Sequence, residues 1–398
     1  MNWDLILLLI FVLLIYLFYR KNKSKFEVQG KILFLYRTKL GLNLMDKFAK
    51  LPKKILNMFS IASIITGFLG MIAMFYIIVK GTFKFVSDPA LNQPVLAPVL
   101  PGVAIPGLPT LSFFHWIIAI FIVATIHEFS HGFIARFFDV KIKSSGFLFF
   151  GPIFGAFVEP DEEQMKKKSR FIQLSIFSAG PFSNIVTGFL ILLISILLIG
   201  KPVSSMLEYT GVEVVSVDEK YPAALVGIKP GEKIISIDKN KISTIDDFSK
   251  ILNSTKPNET INLETTVKNY SLKLVQNPEN SKKGFLGIRV TSSKTEIKQE
   301  AISKYGSFLP NALFWIAKLF SWLWIISLGI GLFNLLPLGP VDGGRMFLTT
   351  LSFFVKDEKK ARFIWMSIGF FILSLILINL WPLIKKLLLF ILAPILGI

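Results

Sequence analysis

The chain has 398 residues, 53% of them hydrophobic, with a mean hydropathy of +0.60. That excludes an ordinary soluble globular protein, and the absence of cysteine excludes disulfides and thiolate metal ligands. The formal charge of +18 lies largely in short segments flanking apolar runs, where Lys and Arg mark the cytoplasmic side of a membrane, so no nucleic-acid partner is expected.

Leu5 to Tyr19 is apolar and is followed, not preceded, by Arg20, Lys21, Lys23 and Lys25. A cleaved signal peptide has the opposite order, so an uncleaved anchor with its N-terminus outside is expected. Arg20 to Lys54 carries eleven Lys or Arg against Glu27 and Asp46 and reads as a cationic cytoplasmic loop. Ile55 to Val79 then runs 25 residues without a charge, enough for a helix across a hydrocarbon core about 30 Å thick. Lys80 to Thr110 is a Pro-rich outer loop. Further spans are expected at about 111–138 and 172–199, the latter within an uncharged run from Phe171 to Gly200.

Residues from about 201 to 305 change character. Short alternating stretches such as Val212 to Val217 and Lys233 to Ile237 are separated by turn signals at Lys229-Pro230-Gly231, Asn240, Asn258 and Asn277-Pro278. With one helical stretch at Ile245 to Leu252, this predicts a small soluble α/β domain. By the charge asymmetry it lies outside the cell. Spans resume at about 311–337 and 363–381, giving six helices, while 383–398 is apolar but holds Lys385 and Lys386 and is left unassigned.

The chemistry centres on His127-Glu128-Phe129-Ser130-His131, which places two of the chain's three histidines one helical turn apart on one face. Two neutral imidazoles there can hold one zinc ion, with the intervening glutamate acting on a bound water. A charge inside a bilayer is expensive, so an acid after the uncharged run from Leu111 points to function. His115 lies twelve residues before His127, about 18 Å along a straight helix, and reads as an interfacial or packing residue. Asp342 is the better third ligand. It is the only acid between Glu300 and Asp357, in a helix-breaking Asn334-Leu335-Leu336-Pro337-Leu338-Gly339-Pro340-Val341-Asp342-Gly343-Gly344 segment.

The paired signatures H-E-x-x-H and N-x-x-P-x-x-x-x-D-G resemble those of the site-2 protease family of intramembrane zinc metalloproteases. Ser178 to Asn184 is similar to that family's glycine-proline-asparagine segment, and Gly146 to Phe157 to its membrane-dipping β-hairpin. Within the soluble insert, Tyr221 to Ile235 resembles the PDZ run PA-x-x-x-G-Φ-x-x-G-D-x-I, with Glu232 in place of Asp. Phe285, Leu286 and Gly287 resemble its carboxylate-binding loop.

The resemblance implies a multi-pass α-helical membrane protein of about six spans, with an inserted PDZ-like α/β domain and a hairpin at 146–158. Four segments follow: two N-terminal helices with a cationic loop (1–80), a first catalytic membrane part (111–200), the PDZ-like domain (205–295) and a second catalytic part (306–398). His127, His131 and Asp342 would bind Zn2+, Glu128 would be general base, and Asn334 would stabilise the oxyanion. Gly151, Gly155 and Asn184 would meet the substrate, and a PDZ-like site would take a peptide C-terminus.

The implied substrate is a membrane protein with a single-span segment, cut in the lipid bilayer during regulated intramembrane proteolysis. The expected setting is a prokaryotic plasma membrane with the active site towards the cytoplasm. Two alternatives stay open: a non-proteolytic membrane PDZ scaffold with a zinc site, and a membrane metallohydrolase acting on soluble peptides.

Overall fold

The computed structural model describes residues 3–29, 33–87, 94–96, 98–102, 111–150, 153–209, 211–278, 280–292 and 295–396. One compact unit lies within residues 1–195 and 318–398, the other within 196–317. Among the described residues six helices are long and apolar enough to cross a membrane: Trp3–Lys21, Lys53–Ser87, Phe113–Phe137, Arg170–Met206, Phe308–Phe333 and Glu358–Lys385. Each uncharged run satisfies its backbone within itself, as hydrocarbon demands. The expected 311–337 span ends earlier, at Phe333, because Pro337 and Pro340 cannot continue it, and a separate helix starts at Asp342. The unassigned C-terminal stretch continues the last helix, Glu358–Leu396.

Packing in the first unit follows a stripe on Lys53–Ser87. Leu56, Ser60, Ser63, Gly67, Gly70, Met74, Ile78 and Thr82 recur every three or four residues and are buried. The small members let neighbours approach, the usual solution where lipid offers no hydrophobic drive between helices. A Cβ on Gly67 would strike the Met346 side chain and one on Gly70 that of Leu335, while Ser63 and Ser178 share a 2.8 Å hydroxyl hydrogen bond. This helix therefore buttresses both Arg170–Ile194 and the segment around Asp342. Near its C-terminal end Asn379 donates to Thr82 Oγ1 and accepts from the Val95 amide, satisfying a buried amide.

The Arg20–Lys54 segment is more than a cationic loop. Phe26–Gln29 and Leu33–Thr38 form strands that join Ile142–Phe150 and Ile153–Pro160 in one antiparallel sheet, in that order. The two strands of the expected hairpin thus pair antiparallel, over a longer range than 146–158, and are backed by two further strands. Arg37 fastens the addition, donating to Glu27, to Ser144 Oγ and to Glu159. Ile153–Pro160 is left as the edge strand, and Phe154 stacks on Phe121 of the Phe113–Phe137 helix with ring centres 5.7 Å apart. A short helix, Leu42–Phe48, sets Met45 against Gly132.

The second unit is built on the main sheet Asn269–Lys273, Thr260–Thr265, Lys233–Ile237, Val212–Val217 and Ile288–Ser292, paired in that order, with Asn240–Lys241 on Lys233–Ile237. Alternation does the work: Ile261, Leu263 and Thr265 point inward and their neighbours outward. Ile261 and Leu263 meet Val212, Val214, Ile234, Ile237 and Phe248 in one apolar core. Phe248 comes from Ile245–Ser254, a helix started by a Thr244–Asp247 capping box. Glu232, the departure from the PDZ pattern, is buried beneath this sheet and accepts from Lys229 N, Thr265 Oγ1 and the Tyr270 hydroxyl. Burial pushes its carboxyl up, but those bonds outweigh burial and hold it below the ordinary range. Tyr270 is pushed up to about 12 by burial and by the same carboxylate.

Candidate active site

The Phe113–Phe137 helix begins where Ser112 caps it and Asp4 Oδ1 accepts from the Phe113 amide at 2.8 Å. His115 sits in this first turn, buried and bonded to Ser112 Oγ at 2.5 Å, in keeping with a packing role. Three turns on, His127 and His131 face the same side, their rings 4.8 Å apart. Asp342, at the head of Asp342–Phe354, places Oδ2 3.0 Å from His127 Nε2 and 3.3 Å from His131 Nε2. One ligand atom from each of the three lies within 4.8 Å of the others, the one such metal-competent group among the described residues.

Asp342 reaches this point because the chain turns sharply at Asn334–Val341. The Gly343 amide donates to Asn334 O at 2.7 Å, and a Cβ on Gly343 or Gly344 would collide with the Leu335, Leu336 or Leu338 carbonyls. Trp365 Nε1 donates to Gly344 O and braces the turn from the last helix. The Asn334 side-chain amide donates to Ile330 O, so in this structure it is bonded to its own helix.

The hydrogen bonds behind the imidazoles test whether a metal fits. His131 Nδ1 stands 2.6 Å from Ile176 O, a group that only accepts. The ring proton is therefore on Nδ1, and the Nε2 lone pair is free for a metal. His127 Nδ1 faces the Asn184 amide nitrogen at 3.0 Å, while Asn184 Oδ1 is buried with no partner. Turning that amide about its axis gives the orphaned oxygen to a His127 Nδ1–H and leaves His127 Nε2 equally free. A third observation is steric. A Cβ on Gly180 would fall against His131 Nε2 and 2.7 Å from His127 Nε2, so the glycine keeps a small space open between both nitrogens and Asp342. Donor type, tautomer and space all suit a zinc ion.

Glu128 lies close enough to His127, His131 and Asp342 to interact electrostatically with all three, and it accepts from the Val158 amide, at 3.0 Å, on the strand Ile153–Pro160. Asn184 is fully buried against His127, which makes it a prop for the imidazole. Gly155 lies on the edge strand with open space where a Cβ would stand, and Gly151 lies outside the described residues. In the second unit, Phe285 packs edge-on to Tyr221, and Gly287, at φ +79°, leaves room for the Tyr221 ring. The Leu286 carbonyl accepts from Ala223. Gly180 lies in the glycine-proline-asparagine segment read from sequence, but its place against the two imidazoles, like the role of the Ile176 carbonyl, comes only from its spatial neighbours.

Residues 115–376 match the family model of peptidase family M50. The chain belongs to that family, the site-2 proteases, and is a metalloprotease. It is 31% identical to an uncharacterized protein of Methanocaldococcus jannaschii, over 92% of this chain and 90% of that one. It is 27% identical to a Clostridium perfringens protein whose name classes it provisionally as a zinc metalloprotease, over 65% of this chain and 89% of the other. A solved PDZ domain of an SdrC-like protein from Listeria monocytogenes aligns with 21% of this chain and 88% of its own, at 26% identity and a TM-score of 0.19.

Proposed function

We propose that this metalloprotease hydrolyses peptide bonds within or beside membrane-spanning segments of other proteins. The observation that carries the reading is the His127–His131–Asp342 group, whose two histidines and Glu128 lie in a helix apolar enough to cross a membrane. His127, His131 and Asp342 would hold zinc, and zinc bound there supplies Lewis acidity and an acidified water. Glu128 would take the proton from the attacking water and pass it to the leaving amine. Ile176 O and Asn184 keep the imidazoles in the ligating tautomer. The proposed domain limits are those given above, with the catalytic core at 111–200 and 306–398 and the PDZ-like domain at 205–295. The cation distribution supports a cytoplasmic-side active site in a prokaryotic plasma membrane.

A helical substrate has its amides paired and must unwind before it is cut. The edge strand supplies a place for it. Val158 gives its amide to Glu128 and not to the neighbouring strand, so by alternation the amides of Ala156 and Phe154 point to the same side. A substrate segment added there as an extra strand would bring its backbone alongside Glu128. Gly155→Val should leave zinc content intact, since the new side chain has room, and lower cleavage about tenfold by crowding that segment. Unchanged turnover in that variant would remove the strand-addition step.

The PDZ-like domain leaves Ile288–Ser292 as a sheet edge following the Phe285-Leu286-Gly287 turn, which suits capture of a peptide C-terminus. The whole reading is tested by metal removal. The purified chain should carry about one zinc and cut a single-span model substrate inside the span. A chelator should abolish cleavage and added zinc restore it. A zinc-loaded protein that cuts none of several spans would favour the scaffold, and cleavage only of soluble peptides would favour the other hydrolase.

A further inference from the structure

Away from the zinc-site residues, a cavity of about 400 Å3 opens where two of the spanning helices begin. Its rim carries Arg170, from the start of Arg170–Ile194, and Lys356 and Arg362, which flank the start of Glu358–Leu396. Among the described residues none of these three cations has a carboxylate within 4 Å. Glu358 is the one acid in the lining, so the cavity keeps an excess of positive charge. Leu348, Val355 and the buried Ala361 supply the apolar part of the lining.

We propose that this cavity binds the phosphodiester headgroup of an anionic phospholipid. Three arguments lead there. Three cations converge from two separate chain segments, and the guanidinium groups of Arg170 and Arg362 match phosphate oxygens in fork geometry. The position at the ends of two spanning helices is the depth at which headgroups lie. Beside the cavity Phe353, Phe354 and Phe363 are 63%, 75% and 68% exposed, apolar surface that acyl chains cover.

The site also has a structural consequence. Arg170 already reaches across to Ser352 O at 3.3 Å and lies over the Phe353 ring. A headgroup held by Arg170, Lys356 and Arg362 would fasten the helix whose Ile176 carbonyl supports His131 to the end of the helix that begins with Asp342.

The test uses the full-length protein and counts retained lipid by native mass spectrometry after exchange from mixed phosphatidylcholine and phosphatidylglycerol. Wild type should retain phosphatidylglycerol selectively. Lys356→Gln with Arg362→Gln should lose at least about tenfold more of it than Lys359→Gln with Lys360→Gln, a pair of equal charge outside the lining. Equal loss in both pairs would mean a diffuse field and overturn the site, as would equal retention of the two lipids by wild type. Millimolar inorganic phosphate is the second probe. If it displaces the lipid and raises the melting temperature alone, the occupant is free phosphate and the lipid assignment falls. Zinc content should be unchanged in both double variants, so the outcome is independent of the catalytic reading.

Discussion

Gly180→Ala should leave the protein folded and without its zinc. The added methyl carbon would lie against His131 Nε2 and 2.7 Å from His127 Nε2. Zinc sits 2.0–2.1 Å from imidazole nitrogen, so carbon and ion compete for one small space. The backbone cannot easily back away. Ser178, two residues earlier, is tied to Ser63, and the Ile176 carbonyl holds His131. Elemental analysis should find metal well below one equivalent in Gly180→Ala. Gly188→Ala, in the same helix, presses on the flexible Leu328 side chain and should keep its metal. Full zinc occupancy in Gly180→Ala would mean that the ion is not held between these two nitrogens.

That prediction marks the boundary between what can be read along the chain and what needs the fold. His127 and His131 declare themselves because helical periodicity alone puts them on one face. Asp342 stands out as a lone acid among apolar residues after a run of helix breakers, and the turn at 334–341 delivers it to the imidazoles. Gly180 belongs to the recognisable 178–184 segment, but its role there was not legible, since it depends on neighbours about fifty residues away. The strands Phe26–Gln29 and Leu33–Thr38 were hidden for a related reason. They are short, sit among eleven cations, and join the sheet through the pairing of Leu33–Thr38 with a strand more than a hundred residues later. Glu232 reads in sequence as an imperfect PDZ match, yet its carboxylate finds three donors that satisfy it under the sheet. Patterns with a helical or strand period were legible. Long-range pairing and the spaces kept open by glycine were not.

The second large effect is expected at Glu128. Glu128→Gln should hold zinc as wild type does and lose cleavage by a factor of about 10²–10⁴, the usual contribution of a positioned acid–base group. Glutamine is the informative choice. The carboxylate now accepts from the Val158 amide, and a glutamine oxygen can accept the same bond, so the helix and the edge strand stay joined. Alanine would break that tie as well, and a loss of activity would then confound chemistry with displacement of the strand. If Glu128→Gln keeps both zinc and full turnover, the glutamate serves only to anchor Val158, and the proton must be handled elsewhere. If it keeps zinc and loses turnover while Glu128→Ala also weakens substrate binding, then one side chain does two jobs. It carries the proton and holds the strand that receives the substrate, which would explain why the base lies on the helix face turned towards the sheet edge.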